Sequence, residues 1–351
     1  MAETSSSRRP PSDASRDDGH PTSTDLGAAQ PGSVRIVSCH GDGSTESTDL
    51  ADLPGLLAAP DHRLWIDLSE PDADQIETAA KALGLHPLIS EDILERNQRS
   101  KIESFDNDVL HIVLFALHYS GEAALAEVDF VLGNGYLLTV HDGSLGPSAA
   151  APLRFGVEHA LDKGPDYLFY AIADTIVDGY FPVLDKLGDD IDHLQDSVIE
   201  GASDWTLQRL FALKRELVDL RRATSPAREI FNQVTNREVG VIDPTHVVYF
   251  RDVYDHLIRV TDELDNYRDL VSGTLDIYVS IVNNDLSRIM KRLTGVTVVL
   301  AGIGAVAGVF GMSEAGAAFG GAEALGFWIV TVTIVVGAIG AAALLRRFDW
   351  I

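Results

Sequence analysis

Between Asp252 and Gly308, polar and small residues, many of them able to hold or pass a cation, recur in steps of three and four. They are Asp252, Asp255, Arg259, Asp262, Asn266, Asp269, Gly273, Asp276, Ser280, Asn283, Ser287, Met290, Thr294, Thr297, Ala301, Gly304 and Gly308. Such steps keep residues on one side of an α-helix. The lower part of this stripe carries carboxylates and gives a cation an acidic path, while the upper part carries hydroxyls and small residues. Gly304 and Gly308, four apart, also suit the close packing of membrane helices. The unbroken polar stripe below them favours a pore lining.

One long helix must position these residues. Asp243-Pro244 makes a good N-cap and first-turn pair, and Pro244 is the last proline in the chain. From there an apolar 3.5-residue pattern runs through Phe250, Val253, Leu257, Val260, Leu264, Tyr267 and Val271, predicting that one face packs against other helices while the polar stripe takes a neighbouring face. After Lys291-Arg292 the sequence is uncharged from Leu293 to Met312, and a second uncharged run from Ala324 to Leu345 ends in Arg346-Arg347. Each run is long enough to cross hydrocarbon. Both basic pairs flank one side, so both termini are expected in the cytoplasm, with residues 313–323 outside. In that loop Glu314 and Glu323 would raise the local cation concentration. The helix from Thr245 to Phe310 would be about 100 Å long, most of it a cytosolic stalk. Two spans per chain cannot enclose a water-filled path, so a channel requires a homo-oligomer with one stripe per subunit facing an axis.

The remaining sequence bounds the possibilities. The 351 residues carry a formal net charge of -26, a surface that repels nucleic acid and attracts cations. The excess acid fits either a salty cytoplasm or a cation-collecting role. Cys39 is the sole cysteine, which excludes an intrachain disulfide and fits a reducing compartment. No apolar segment opens the chain, so no signal peptide is expected. Residues 1–33, rich in Ser, Pro, Asp and Gly, are expected to form a disordered tail. An α/β domain follows over 34–162. Strands are predicted at Arg35–Cys39, Leu64–Leu68, Val109–His118, Glu127–Leu132 and Tyr136–His141, and helices at Asp72–Leu83 and Pro87–Arg96. Antiparallel acidic helices are expected over 163–243, as Asp166–Ile199 and Asp204–Thr224. The first carries Asp185, Asp189, Asp190, Asp192, Asp196 and Glu200, a solvated face or a cation-concentrating one. Residues 244–312 form the stalk and first span, 324–345 the second span and 346–351 a basic cytosolic end. No enzyme motif is found: Gly302, Gly304 and Gly308 lack the preceding strand and the Lys of a phosphate loop. The eleven histidines form no helical pair at metal-ligand spacing.

Several ordered motifs resemble the CorA-type divalent-cation transporters. They are Leu85-His86-Pro87-Leu88 with Glu91-Asp92, Gly164-Pro165-Asp166-Tyr167-Leu168, Ile176-Val177-Asp178-Gly179-Tyr180, Leu213-Lys214-Arg215-Glu216-Leu217, Tyr249 to His256, Met290-Lys291-Arg292-Leu293-Thr294, and Gly308-Val309-Phe310-Gly311-Met312. The resemblance spans residues 34–351. It implies a homopentameric funnel in a cell membrane, passing Mg2+, with Co2+ or Ni2+ as further ions and no organic cofactor. It also implies that the signature at the outer mouth is Gly-Met-Asn, which here is Gly311-Met312-Ser313. Gly302 and Gly304 stand where the family commonly has Pro and Thr, and Ser287 where it has Asn. Met290 and Leu293 would form apolar constrictions, or simply pack between helices. The resemblance further implies a regulatory Mg2+ site between subunits, where Glu91 and an unpaired Asp92 face an unpaired Asp252 of the neighbouring stalk. Two other functions fit the same sequence: transport of Zn2+ or another transition metal, and a membrane-anchored Mg2+ sensor or scaffold that passes no ion.

Overall fold

Along Val109–Tyr119 almost every side chain is buried, which a strand achieves only when both faces of its sheet are covered. The computed structural model describes residues 32–40, 43–59, 61–96, 99–105, 108–143, 156–201, 203–236, 239–311 and 323–347. Most of the expected N-terminal tail, residues 312–322 of the expected external loop and its approach, and residues 348–351 lie outside these. The sheet has seven strands: β1 (Ser33–His40), β2 (Gly43–Ser47), β3 (Arg63–Ser69), β4 (Lys101–Phe105), β5 (Val109–Tyr119), β6 (Ala123–Gly133) and β7 (Tyr136–His141). Their order is β2-β1-β3-β7-β6-β5-β4. Only β3 and β7 pair in parallel; the other neighbours are antiparallel.

Three helices cover one face: α1 (Leu53–Leu57), α2 (Ala73–Leu83) and α3 (Pro87–Glu95). Asp72 caps α2, its side chain accepting from the Gln75 N–H while Gln75 answers to the Asp72 N–H, a reciprocal capping box. Gly84 closes the helix at φ +66°, where other residues are strained. Ile76, Ile89 and Ile93 pack there on Ile66, Val131 and Leu138.

The opposite face is covered by α4 (Val157–Lys163), α5 (Pro165–Asp178), α6 (Tyr180–Glu200), α7 (Asp204–Asn236) and α8 (Val247–Gly311). A last helix, α9 (Glu323–Arg347), lies alongside α8. Two predicted boundaries are corrected. The single helix expected over Asp166–Ile199 is broken at Gly179, because Pro182 has no N–H for the Asp178 carbonyl and its ring crowds that carbonyl. Fully buried Tyr180 fixes the break by donating its hydroxyl to the Phe115 carbonyl. Conversely α7 does not stop at Thr224 but runs through Pro226 to Asn236. Burial of Ala227, Ile230, Phe231 and Val234 outweighs the local preference against helix before and at proline.

The α6–α7 hairpin is tied to the sheet by Arg209, which donates to Asp190 at 2.9 Å, Glu216 at 3.1 Å and the Gly121 carbonyl at 3.2 Å. Asp190 also accepts from Tyr119 at 2.8 Å. One member of the acidic run is thus committed to structure, whereas Asp185, Asp189, Asp192, Asp196 and Glu200 are exposed. Arg221 pairs with Asp265 and so joins α7 to α8.

Candidate ion path and metal centre

Helix α8 begins at Val247, later than the predicted cap. Asp243 instead closes a turn, accepting from the Thr245 N–H at 2.8 Å, and its own N–H donates to Asp166 at 2.9 Å. From Phe250 the predicted apolar seam is buried at Phe250, Val253, Leu257, Val260, Leu264 and Val271, against α5, α6 and α7. The polar stripe lies two residues on from each seam position. At 100° per residue that is about 200° around the helix, so the stripe is back to back with the seam rather than beside it. Every stripe residue from Asp252 to Gly308 is exposed. The Ser280 and Thr297 hydroxyls donate to the Asp276 and Leu293 carbonyls at 2.9 and 2.8 Å. Having donated, each hydroxyl oxygen still has lone pairs with which to accept. Among the described residues, and apart from the helix's own backbone, nothing lies within 4 Å of where a Cβ would stand at Gly304 or Gly308. The packing reading of that spacing therefore finds no partner in its own chain among the described residues.

Helix α8 is the one described helix long and apolar enough to cross a membrane, and only 6% of its most apolar stretch is buried. Met290 and Leu293 are 54% and 60% exposed, so neither packs inside the chain. On α9, Trp328, Val332, Val336 and Ile339 are exposed as well. Gly311 is the last residue of α8, and Glu323 opens α9 rather than lying in the loop. Met312, Ser313 and Glu314 lie outside the described residues.

The stalk base brings Asp252, already singled out in the stripe, together with Asp174, Asp178 and His256, to which the sequence assigns no site role. Asp174 and Asp178 stand four apart on α5, and Asp252 and His256 four apart on α8. Each pair therefore shares a helix face. His256 Nδ1 lies 3.0 Å from Asp178 Oδ1, and Asp174, Asp178 and His256 can all reach one ion. Asp174 Oδ1 is buried without a hydrogen-bond partner among the described residues. Burial pushes the Asp174 carboxyl up to about 6, the charges of Asp178 and Asp252 add to the rise, and His256 opposes it. The two i,i+4 pairs were present in the sequence, but nothing there placed one helix against the other.

An acid with a raised folded pKa holds its proton more tightly folded than unfolded. Its stabilisation is complete below the ordinary value of 3.8 and is lost as pH rises through about 6. Metal-free protein is expected to lose thermal stability across that window, and Asp174→Asn to flatten the loss. An unchanged slope in the variant would assign the effect to other groups. Since a dication needs the ionised carboxylate, binding here should weaken below pH about 6.

Asp92 departs from the expectation of an unpaired carboxylate. It lies on α3, and Lys101 of β4 donates to its Oδ2 while also reaching Glu103 at 2.9 Å. A cation captured by Asp92 must displace that ammonium. Asp252 and Glu91 are exposed.

A profile described as CorA-like Mg2+ transporter protein matches residues 61–347. The chain is 35% identical over 255 residues to the cobalt/magnesium transport protein CorA of Thermotoga maritima, covering 71% of this chain and 72% of that one. It is 25% identical over 178 residues to the zinc transport protein ZntB of Cronobacter sakazakii, covering 51% and 54%. The complete structure of the CorA magnesium transporter from Methanocaldococcus jannaschii superposes with a TM-score of 0.74 at 21% identity, over 91% of this chain and 98% of that one.

Proposed function

The chain belongs to the CorA-like Mg2+ transporter family, a family of transporters and not enzymes, and from that premise we propose that it is a homo-oligomeric membrane channel for divalent cations, with Mg2+ as its main ion. The observation that carries this reading is the exposed stripe of α8, continuous from the acidic stalk into the apolar stretch and back to back with the seam that holds the helix to its own chain. Five copies arranged around an axis would turn five stripes inward, with α8 and α9 crossing the bilayer and both termini in the cytoplasm. Gly311, Met312 and Ser313 would form the outer mouth, and Glu314 and Glu323 would draw cations towards it. Mg2+ sheds water reluctantly, so hydroxyls and carbonyls there would hold the hydrated ion through its water shell. Met290 and Leu293 would close the path by dewetting, above a polar exit through Ser287, Asn283, Ser280 and Asp276. A dication falling through 100 mV gains about 4.6 kcal/mol, which suffices for uptake without ATP.

Closing would be set by cytosolic Mg2+. An ion held between Glu91 and Asp92 of one subunit and Asp252 of the next, with Asp174, Asp178 and His256 adjoining, would tie neighbours together and favour a symmetric shut state. A second reading, transport of Zn2+, is favoured by His256 in that group and by the likeness to ZntB.

Uptake into proteoliposomes under an inside-negative potential tests both readings, with Mg2+, Co2+, Ni2+ and Zn2+ offered in turn. Mg2+ is expected to enter fastest. A ranking led by Zn2+ would support the second reading, and absence of flux for every ion would sink the channel. In the Asp92→Ala, Asp252→Ala double variant, uptake should continue at internal Mg2+ that shuts the parent. Unchanged shut-off would remove these residues as the sensor.

A further inference from the structure

On the sheet face covered by α3, His111 and Asp129 are buried polar residues in an otherwise apolar layer. His111 of β5 pairs across the ladder with Glu103 of β4, and its neighbour Val113 pairs with both Lys101 and Asp129. The register therefore sets Lys101, Glu103, His111 and Asp129 on one face, and α3 brings Asp92 down onto them. The His111 side chain is fully buried. Its Nε2 lies 2.8 Å from Asp129 Oδ1, while its Nδ1 has no hydrogen-bond partner among the described residues and lies 4.0 Å from Asp92 Oδ2. When Asp129 accepts the Nε2 proton, Nδ1 is left with a buried lone pair and no donor. A carboxylate behind one ring nitrogen and an open lone pair on the other is how proteins orient an imidazole towards a metal.

We propose that Asp92, Glu103 and His111 form a site within each chain for a divalent transition-metal ion such as Zn2+, Co2+ or Ni2+, and that Lys101 is its tethered competitor. Nitrogen and oxygen donors bind such ions at about 2.0–2.2 Å, so two donors on one ion stand no more than about 4.4 Å apart. The 4.0 Å between His111 Nδ1 and Asp92 Oδ2 fits within that span; all three donor atoms lie within 4.8 Å of one another, so closing on an ion requires them to draw together by at most about 0.4 Å. The imidazole sets the preference, because it suits Zn2+, Co2+ and Ni2+ whereas Mg2+ takes oxygen ligands. The ammonium of Lys101, between Asp92 and Glu103, occupies the ground an arriving dication needs. Its side chain is 18% exposed and has an exit to solvent. The site stands on this chain's own geometry. Its consequence rests on the regulatory reading above: a transition metal that captures Asp92 removes it from the Mg2+ contact between subunits.

The test is Co2+ titration of full-length, metal-stripped protein in detergent, read by visible absorption, in a His256→Asn background that removes the imidazole of the stalk-base group. Asp92-side binding is expected to weaken by at least about 10- to 100-fold in His111→Asn. Lys101→Met should tighten it by about tenfold, the effect of removing one competing charge worth about 1.4 kcal/mol. A gain of affinity cannot arise from misfolding, so Lys101→Met decides the matter even where His111→Asn folds poorly. If Lys101→Met binds Co2+ no more tightly, or if folded His111→Asn keeps the parent's affinity and spectrum, the site does not exist. Mg2+ titration of the same proteins should be unmoved by His111→Asn. An equal loss for Mg2+ would reduce the group to a field of carboxylates and overturn the imidazole's role. Protease protection by Mg2+ alone reports the contact between subunits separately, so either idea can fail without the other.

Discussion

Arginine at Ser287 is expected to lower Mg2+ flux by at least about 30-fold, because in the proposed assembly it sets five positive charges around the ion's exit. At roughly 8 Å from the axis each opposes a dication by about 1 kcal/mol even at the dielectric constant of water. Salt screening reduces the total but does not cancel it within one Debye length. Ser287 is exposed and belongs to the stripe, so the chain itself tolerates the change. The control is Asp285→Arg, two residues earlier and about 200° around the helix, where the parent side chain pairs with its neighbour Arg288 at 3.1 Å. Flux through that variant should stay within about twofold, since exposed pairs contribute little. Equal inhibition at both positions, measured by uptake into proteoliposomes, would show that the charge acts through the surface and not through a path along the stripe.

The largest stability effect is expected at the root of α8. Phe250 is fully buried, its ring centroid 5.6 Å from Phe169, 6.0 Å from Tyr170 and 6.3 Å from Phe231. One side chain thereby joins α5, α7 and α8. Phe250→Ala removes the ring's burial and leaves a cavity that three helices cannot all collapse to fill, a loss of about 3–5 kcal/mol. Thermal unfolding in detergent should begin about 10 °C lower. Tyr249→Ala next to it, partly exposed in the parent, should cost far less. Comparable losses at both positions would mean that the stalk is not anchored through this aromatic cluster.

Much of this architecture was legible because it repeats. The seam from Phe250 to Val271 and the stripe from Asp252 to Gly308 each announce a helix by period alone, and their two-residue offset fixes their relative direction. Strands β1, β3, β5, β6 and β7 were found from β-branched and aromatic runs. By contrast β2, Gly-Ser-Thr-Glu-Ser, is an exposed edge with no apolar face to signal it, and half-buried β4, Lys-Ile-Glu-Ser-Phe, shows only a weak alternation. Pro226 misled in one direction and Pro182 in the other, since whether a helix survives a proline depends on what its neighbours bury. The polar groups around Asp92 and Asp174 were the least legible. Asp92, Glu103, His111 and Asp129 come from a helix and three strands, and only the ladder register and the seating of α3 make them one group. Lys101 shows the same limit, because a carboxylate expected to stand alone proved to have an internal counter-ion.

The uninterrupted course of α8 has a mechanical consequence. Its 65 residues make a lever about 100 Å long, held at the root by aromatic packing and, in the proposed assembly, ending in the bilayer. A tilt of 2° at the root therefore swings the far end by roughly 3 Å, about the width of a water molecule. In the proposed assembly, shifts at the carboxylates near its root too small to change any local contact would thus be magnified into a displacement large enough to wet or dry a narrow passage.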